Sequence, residues 1–419
     1  MSESARTVLF VLGVLVAALG GAMLAPAVAD LQDDGQAAAA FFGSALAAIA
    51  LGGVMALSGR GSDNRLSARG AIILTGGSWA VLALAAAVPL KLALPWLSWT
   101  DAVFEATSGI TTTGATVLTG LDALPAGVLL WRSILQWIGG VGIIVTAMAI
   151  WPLLGIGGMQ LFRLASSDTS EKALPRAGQI AAAVGLIYLA LTFACFLAYL
   201  AADMGPFDAV NHAMTTMATG GFSTRDASIG AFTAGGADLV ALVFMVLAGL
   251  PFMLYVRAAA GRPDLLLTDT QARTFLMVAF CAAAALTLYL LSQDYSAGGG
   301  LPAWRAAAVN AVSILTGTGY ASTDFYAWGG GAAAIFLMLM FIGGCAGSTT
   351  CSIKIFRYQI AASAMKVYIA QYARPHAVKT IRYRGQAVPD ETVRSVLGFF
   401  FLFFATFAVS ASLLALIGL

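Results

Sequence analysis

The chain has 419 residues, of which 60% are hydrophobic and 10% charged. Soluble domains carry roughly 25% charged residues, so this composition excludes a soluble globular protein and indicates an integral membrane one. The formal net charge is only +2, and His212 and His376 are the sole histidines, which leaves little for nucleic-acid binding or a histidine-built metal centre.

Runs of about 20 apolar residues predict spanning helices over 7–29, 36–58, 70–93, 130–153, 177–201, 237–257, 274–292, 331–370 and 393–417. The first, from Val8 to Val28, reaches Asp30 without a clear cleavage pattern and reads as a retained span rather than a secretory leader. Three amphipathic segments, 100–109, 207–217 and 304–315, are too short to cross. They read as pore helices, the alternative being interfacial helices followed by ordinary loops. Ser98-Trp-Thr-Asp101 gives the first of them a cap and an early acid. Cys195, Cys281, Cys345 and Cys351 sit mostly in apolar runs, form no CxxC pair and read as buried thiols.

Each short segment leads into a glycine-centred turn: Ile110-Thr-Thr-Thr-Gly-Ala-Thr116, Ala218-Thr-Gly-Gly-Phe-Ser-Thr224 and Leu315-Thr-Gly-Thr-Gly-Tyr-Ala321. The central glycines Gly114, Gly221 and Gly319 lie 107 and 98 residues apart, and each is followed by a spanning run. Polar, glycine-rich backbone is tolerated at bilayer depth only where it is buried or faces water. A ring of such carbonyls replaces the hydration shell of a cation, and glycine permits the dihedrals that this requires. The pattern therefore points to an all-α polytopic membrane protein with helix–pore loop–helix repeats around an ion pathway. That pathway is lined by Thr112, Thr113, Gly114 and Ala115, by Thr219, Gly220, Gly221 and Phe222, and by Gly317, Thr318, Gly319 and Tyr320. The competing reading is small-residue helix packing.

Adjacent glycines and hydroxyls weaken a helical hydrogen-bond ladder, so 343–352 is expected to interrupt its span. Gly343, Gly344, Gly347, Ser348, Thr349 and Thr350 are candidates for a gate, or else for a packing kink. Arg132 and Gln136 are costly in lipid; Arg132 is expected to snorkel to the outer interface, with a functional role as the alternative. Glu105 is placed to brace the first turn or add negative potential near it, and Asp101 to start its helix. Arg225 and Asp226 are expected to pair at the outer mouth, and His212 to pack behind the second turn. The basic stretch 374–384 suits either a cytosolic partner or ordinary anchoring.

With the pore helices entering from outside, 18 of the 22 Lys and Arg lie on the inner side, all but Lys91, Arg132, Arg225 and Arg305. Of the 20 acids, 12 lie outside or at the outer mouth, giving +10 inside and −8 outside. An acidic outer face concentrates cations before entry.

These residues resemble the Trk/Ktr/HKT superfamily of potassium transporters, most closely its bacterial TrkH type. The resemblance extends to Leu153-Leu-Gly-Ile-Gly-Gly-Met-Gln-Leu-Phe162 with Glu171-Lys172 and Pro175-Arg176, and to Gly343-Gly-Cys-Ala-Gly-Ser-Thr349 with Lys354 and Arg357. It also takes in Arg374-Pro-His-Ala-Val378 and Arg384-Gly-Gln-Ala-Val-Pro-Asp390. It implies a K+-selective pathway of four helix–loop–helix repeats around one axis, preceded by two extra helices. On that pattern residues 1–66 hold two N-terminal helices, 67–160 the first pore repeat and 161–260 the second. Residues 261–373 hold the third, with a broken second helix, and 374–419 a cytoplasmic linker and the first helix of an incomplete fourth. The resemblance implies passive conduction of K+ without cofactor or substrate chemistry, in a bacterial inner membrane. It further implies a homodimer and a cytosolic nucleotide-binding regulatory subunit of the TrkA/KtrA kind. In the family, serine at the position of Gly114 goes with Na+ permeation, so glycine here favours K+.

Two departures stand out. Thr350, Cys351 and Ser352 replace glycines that the family usually carries, which predicts a stiffer gate loop. The chain ends at Leu419 after one helix of the fourth repeat, so a truncated product or one piece of an assembly is expected. A non-conducting or regulatory subunit is therefore one alternative. A cation-coupled symporter is another, although it would normally place ionisable residues at midplane, where these spans have almost none.

Overall fold

The computed structural model describes residues 3–32, 35–61, 68–145, 173–293, 295, 300–374 and 379–418. Among these, seven helices are long and apolar enough to span a membrane, or eight if one bent pair counts as a span. The first are α1 (Glu3–Ala22), continued by α2 (Leu24–Ala29), and α3 (Gly35–Gly59). Small residues let α1 and α3 approach backbone to backbone. A Cβ built on Gly13 would lie 2.4 Å from the Ala56 nitrogen, and one on Gly52 2.5 Å from that of Ala17.

Three units of similar order follow. The first is α4 (Ala68–Ala93), α5 (Trp99–Ile110), a turn and α6 (Ala126–Val145). The second is α7 (Ala173–Ala201), α8 (Pro206–Met217), a turn, α9 (Ala237–Gly249) and α10 (Phe252–Ala259). After the short α11 (Asp264–Thr268), the third is α12 (Thr270–Ser292), α13 (Ala303–Thr316), a turn, α14 (Gly329–Met340) and α15 (Ile355–Ala373). A two-residue hairpin, β1 (Arg382–Tyr383) against β2 (Gln386–Ala387), precedes α16 (Asp390–Leu416).

Local chemistry sets the short helices. Ser98 caps α5 by accepting the Asp101 N–H at 3.1 Å. Pro206, which needs no N–H partner there, opens α8. Gly317, left-handed at φ 73°, ends α13.

Two of the expected runs are interrupted, the first against expectation and the second around the segment where a break was expected. The run 237–257 bends by 87° between α9 and α10. Pro251 excludes its predecessor from helical geometry, and Leu250 is extended at ψ 157°. The run 331–370 stops at Met340 and restarts at Ile355, a wider interruption than 343–352. The span expected over 130–153 starts at Ala126, and its end beyond Val145 lies outside the described residues, as do 153–162, Glu171, Lys172 and His376.

One large buried cluster joins α1 to α6 around Phe41, Leu90 and Trp131; the other gathers α7 through α14 around Tyr188, Phe252 and Phe275. Leu186, Phe193, Phe280, Leu288 and Phe401 face outward, as lipid-facing helices require. Cys195 and Cys345 are buried, as expected, but Cys281 and Cys351 are exposed. Cys281 lies on an outward face of α12, and Cys351 lies in the helix break.

Candidate functional site

The three turns share one backbone pattern. Thr112 and Gly114 are left-handed at φ 56° and 80°, Thr219 and Gly221 at 51° and 77°, and Gly317 and Gly319 at 73° and 83°. A β-branched residue in that region is strained by about 1–3 kcal/mol, so the surroundings must hold Thr112 and Thr219 there.

The turns also meet. A Cβ on Gly114 would lie 2.1 Å from the Gly220 oxygen and 3.6 Å from that of Thr318. One on Gly221 would lie 1.8 Å from the Thr318 oxygen, whereas one on Gly319 would meet no described atom within 4 Å. Glycine at 114 and 221 thus serves two needs: its own dihedral, and the close approach of the next turn's carbonyl.

Each turn is braced from its short helix at matching registers. Six residues before the central glycine stand Ser108, Thr215 and Ser313. The Ser108 carbonyl accepts from Thr113 N–H at 2.9 Å and that of Thr215 from Gly220 N–H at 3.0 Å, while that of Ser313 accepts from Gly319 N–H at 3.3 Å. The Ser108 hydroxyl donates to the Ala115 carbonyl at 2.5 Å and that of Ser313 to the Tyr320 carbonyl at 2.7 Å. Nine residues before the glycine stand Glu105, His212 and Asn310, all fully buried. Glu105 accepts from Thr116 Oγ1 at 2.9 Å and Val117 N–H at 3.1 Å. His212 bonds Ser223 Oγ at 3.0 Å, and Asn310 donates to Ser322 Oγ at 2.8 Å. His212 therefore packs behind the second turn, joined there by the buried Tyr320, whose hydroxyl lies 2.5 Å from Thr215 Oγ1.

Arg132 does not snorkel. It is 1% exposed, and its Nε donates to Glu105 Oε1 at 2.7 Å. Its Nη1 donates to the Ser223 carbonyl at 3.0 Å, and its guanidinium sits 4.1 Å from the centre of the Phe222 ring. One turn along α6, Gln136 donates from Nε2 to the Gly220 carbonyl at 2.7 Å and accepts the Phe222 N–H at 3.1 Å. The cost of Arg132 in lipid is met by partners inside the protein.

The outer loops differ from expectation too. Arg225 pairs with Asp122 at 3.1 Å and Asp208 at 3.3 Å, not with Asp226, whose carboxylate accepts the Leu121 N–H at 3.1 Å. The hydrogen bond from Arg225 holds Asp122 below the usual carboxylate range. Within the stretch 374–384, Arg384 pairs with Asp269 of the same chain.

The break at 341–354 is cross-braced. Gly344 N–H donates to Thr350 Oγ1 at 3.0 Å, Ser348 Oγ donates to the Cys345 carbonyl at 2.7 Å, and Lys354 Nζ donates to Thr350 Oγ1 at 3.0 Å and to the Thr350 carbonyl. It also completes the broken end of α9 and start of α10, since freed backbone groups away from water need partners. The Gly249 carbonyl accepts from Cys345 N–H at 3.0 Å, that of Ala248 from Thr349 Oγ1 at 3.3 Å, and that of Gly347 from Phe252 N–H at 2.9 Å. The segment abuts the third turn, where a Cβ on Gly317 would lie 2.0 Å from Cys351 Sγ.

Of the residues singled out in sequence, the structure brings together Gly114, Gly220, Gly221 and Thr318. It turns the carbonyls of Ala115, Gly220 and Tyr320 onto Ser108, Gln136 and Ser313. Sequence reasoning set Glu105 and His212 against their turns one by one, but missed Asn310 as their counterpart and missed the Ser108/Thr215/Ser313 register, although both registers were readable as fixed offsets from the glycines.

Comparison with known proteins places this arrangement. The chain is 43% identical over 351 residues to the Trk system potassium uptake protein TrkI of Halomonas elongata, covering 83% of this chain and 70% of that protein. It is 36% identical over 410 residues to the Trk system potassium uptake protein TrkH of Escherichia coli, covering 97% and 84%. The crystal structure of the potassium transporter TrkH from Vibrio parahaemolyticus superposes with a TM-score of 0.89 at 35% identity, covering 99% of this chain and 86% of that one. With residues 37–418 matching the model of the TrkH cation transport protein family, this chain belongs to that family.

Proposed function

We propose that the protein carries K+ across a membrane, with the three glycine turns as its selectivity filter. The observation that carries this reading is the convergence of Gly114, Gly220, Gly221 and Thr318. Uncharged, glycine-shaped backbone at that density suits the ligation of a dehydrated cation. Related proteins named as potassium uptake proteins support K+ as the ion. Because Ala115, Gly220 and Tyr320 direct their carbonyls elsewhere, the ligands come from the other carbonyls of 112–114, 219–221 and 317–319. On this reading 67–160, 161–260 and 261–373 are pore repeats, and 343–352, within the break at 341–354, is the gate. The protein sits in a bacterial inner membrane as a homodimer, with a cytosolic nucleotide-binding subunit on its basic side.

The test is ion uptake by the protein in liposomes, alone and as Gly114→Ser. Uptake of K+ well above Na+, with the preference reduced in the variant, is expected. Equal K+ and Na+ uptake by the unaltered chain would contradict the proposal.

A further inference from the structure

Arg132 and Gln136 stand one turn apart on α6, where residues four apart share a face. Both reach the second turn, although α6 belongs to the first unit. Gln136 engages that turn twice, through the Gly220 carbonyl at 2.7 Å and the Phe222 N–H at 3.1 Å. Arg132 takes the Ser223 carbonyl at 3.0 Å and covers the Phe222 ring. The same guanidinium holds Glu105, which in turn holds Thr116 and Val117 of the first turn. The matching registers carry His212 and Asn310, which bond Ser223 and Ser322 within their own units. The seam between the first and second turns is thus tied by the Arg132 guanidinium on the Ser223 carbonyl and by the Gln136 amide, while that between the second and third is tied by the Tyr320 hydroxyl on Thr215.

We propose that Arg132 and Gln136 are positioning residues that set the preference for K+ over Na+ by fixing the second turn's backbone against the first. This rests on the filter reading above. Gln136 holds the Gly220 oxygen in the position that Gly114 is shaped to receive. Without the Nε2 donor, that carbonyl is free to swing and the spacing of the first two turns relaxes. A looser ring of carbonyls accommodates the smaller Na+ ion.

The test is calorimetric titration of the purified full chain with KCl and with NaCl. The unaltered protein should bind K+ more tightly. Gln136→Leu should lower the ratio of the two affinities by roughly three- to tenfold, the effect of one lost hydrogen bond. Gln136→Met has similar length but no donor for the Gly220 carbonyl, and should fall with Gln136→Leu. The double variant Glu105→Gln/Arg132→Met, which leaves no unpaired charge, tests the second tie and serves if the Gln136 variants fail to fold. Weaker binding of both ions with an unchanged ratio would mean mere structural support and overturn the inference. An unaltered protein with no K+ preference would overturn the filter reading as well, so the two failures are distinguishable.

Discussion

Glycine is required at 114 and 221 for a reason that differs from the reason at 319. All three are left-handed, which costs an ordinary residue about 1–2 kcal/mol. At Gly221 a Cβ would also meet the Thr318 oxygen at 1.8 Å, an overlap that adds about 1–3 kcal/mol of overpacking. Gly221→Ala should therefore lower the melting temperature clearly more than Gly319→Ala, and equal shifts in thermal unfolding would contradict the contact between turns. Arg132 supplies a second prediction. Arg132→Met leaves the Glu105 carboxylate buried without its counter-charge, at about 3–5 kcal/mol, and adding Glu105→Gln should recover much of that. A double variant no more stable than the single would mean that the pair is not coupled. The three glycines were legible because their motif recurs at near-regular spacing. The fate of Arg132 was not, since its partners Glu105 and Ser223 are 27 and 91 residues away in sequence. A lone arginine near a helix end looks the same whether it snorkels or pairs.

At the scale of elements, length and hydropathy located the helices well, and the short ones fell within a residue of expectation because Ser98, Pro206 and Gly317 mark their ends. The break around 343–352 was legible from its glycines and hydroxyls, but the one at Leu250 was not. Gly249-Leu-Pro251 carries a proline that should end a helix, yet its apolar neighbours hide it in a hydropathy window. The two breaks depend on each other: Gly344 to Thr349 supply the donors and acceptors that α9 and α10 lack where they part. As the proposed gate, the segment should yield higher K+ flux when Ser348 to Thr350 are deleted, because Lys354 then loses its anchor on Thr350 and the cross-bracing fails. Liposome flux measures this. Unchanged or reduced flux with normal K+ preference would instead favour a packing role.

Across the whole molecule, the charge asymmetry read from sequence and the recurring units both follow from the bilayer as solvent. Basic residues are expected to collect on one side, and the turns and helix breaks lie where protein partners meet their backbone groups. What hydropathy could not reveal is how the units differ chemically behind a common backbone: an ion pair at Glu105, an imidazole at His212 and an amide at Asn310 occupy one register. The central claim is that the three turns together hold a dehydrated K+-like ion. It is tested most directly by a crystal structure of the protein with Tl+, located by its anomalous scattering. The account predicts a peak between the turns, ligated by carbonyls from all three of 112–114, 219–221 and 317–319. Tl+ bound elsewhere, with that centre empty, would contradict it.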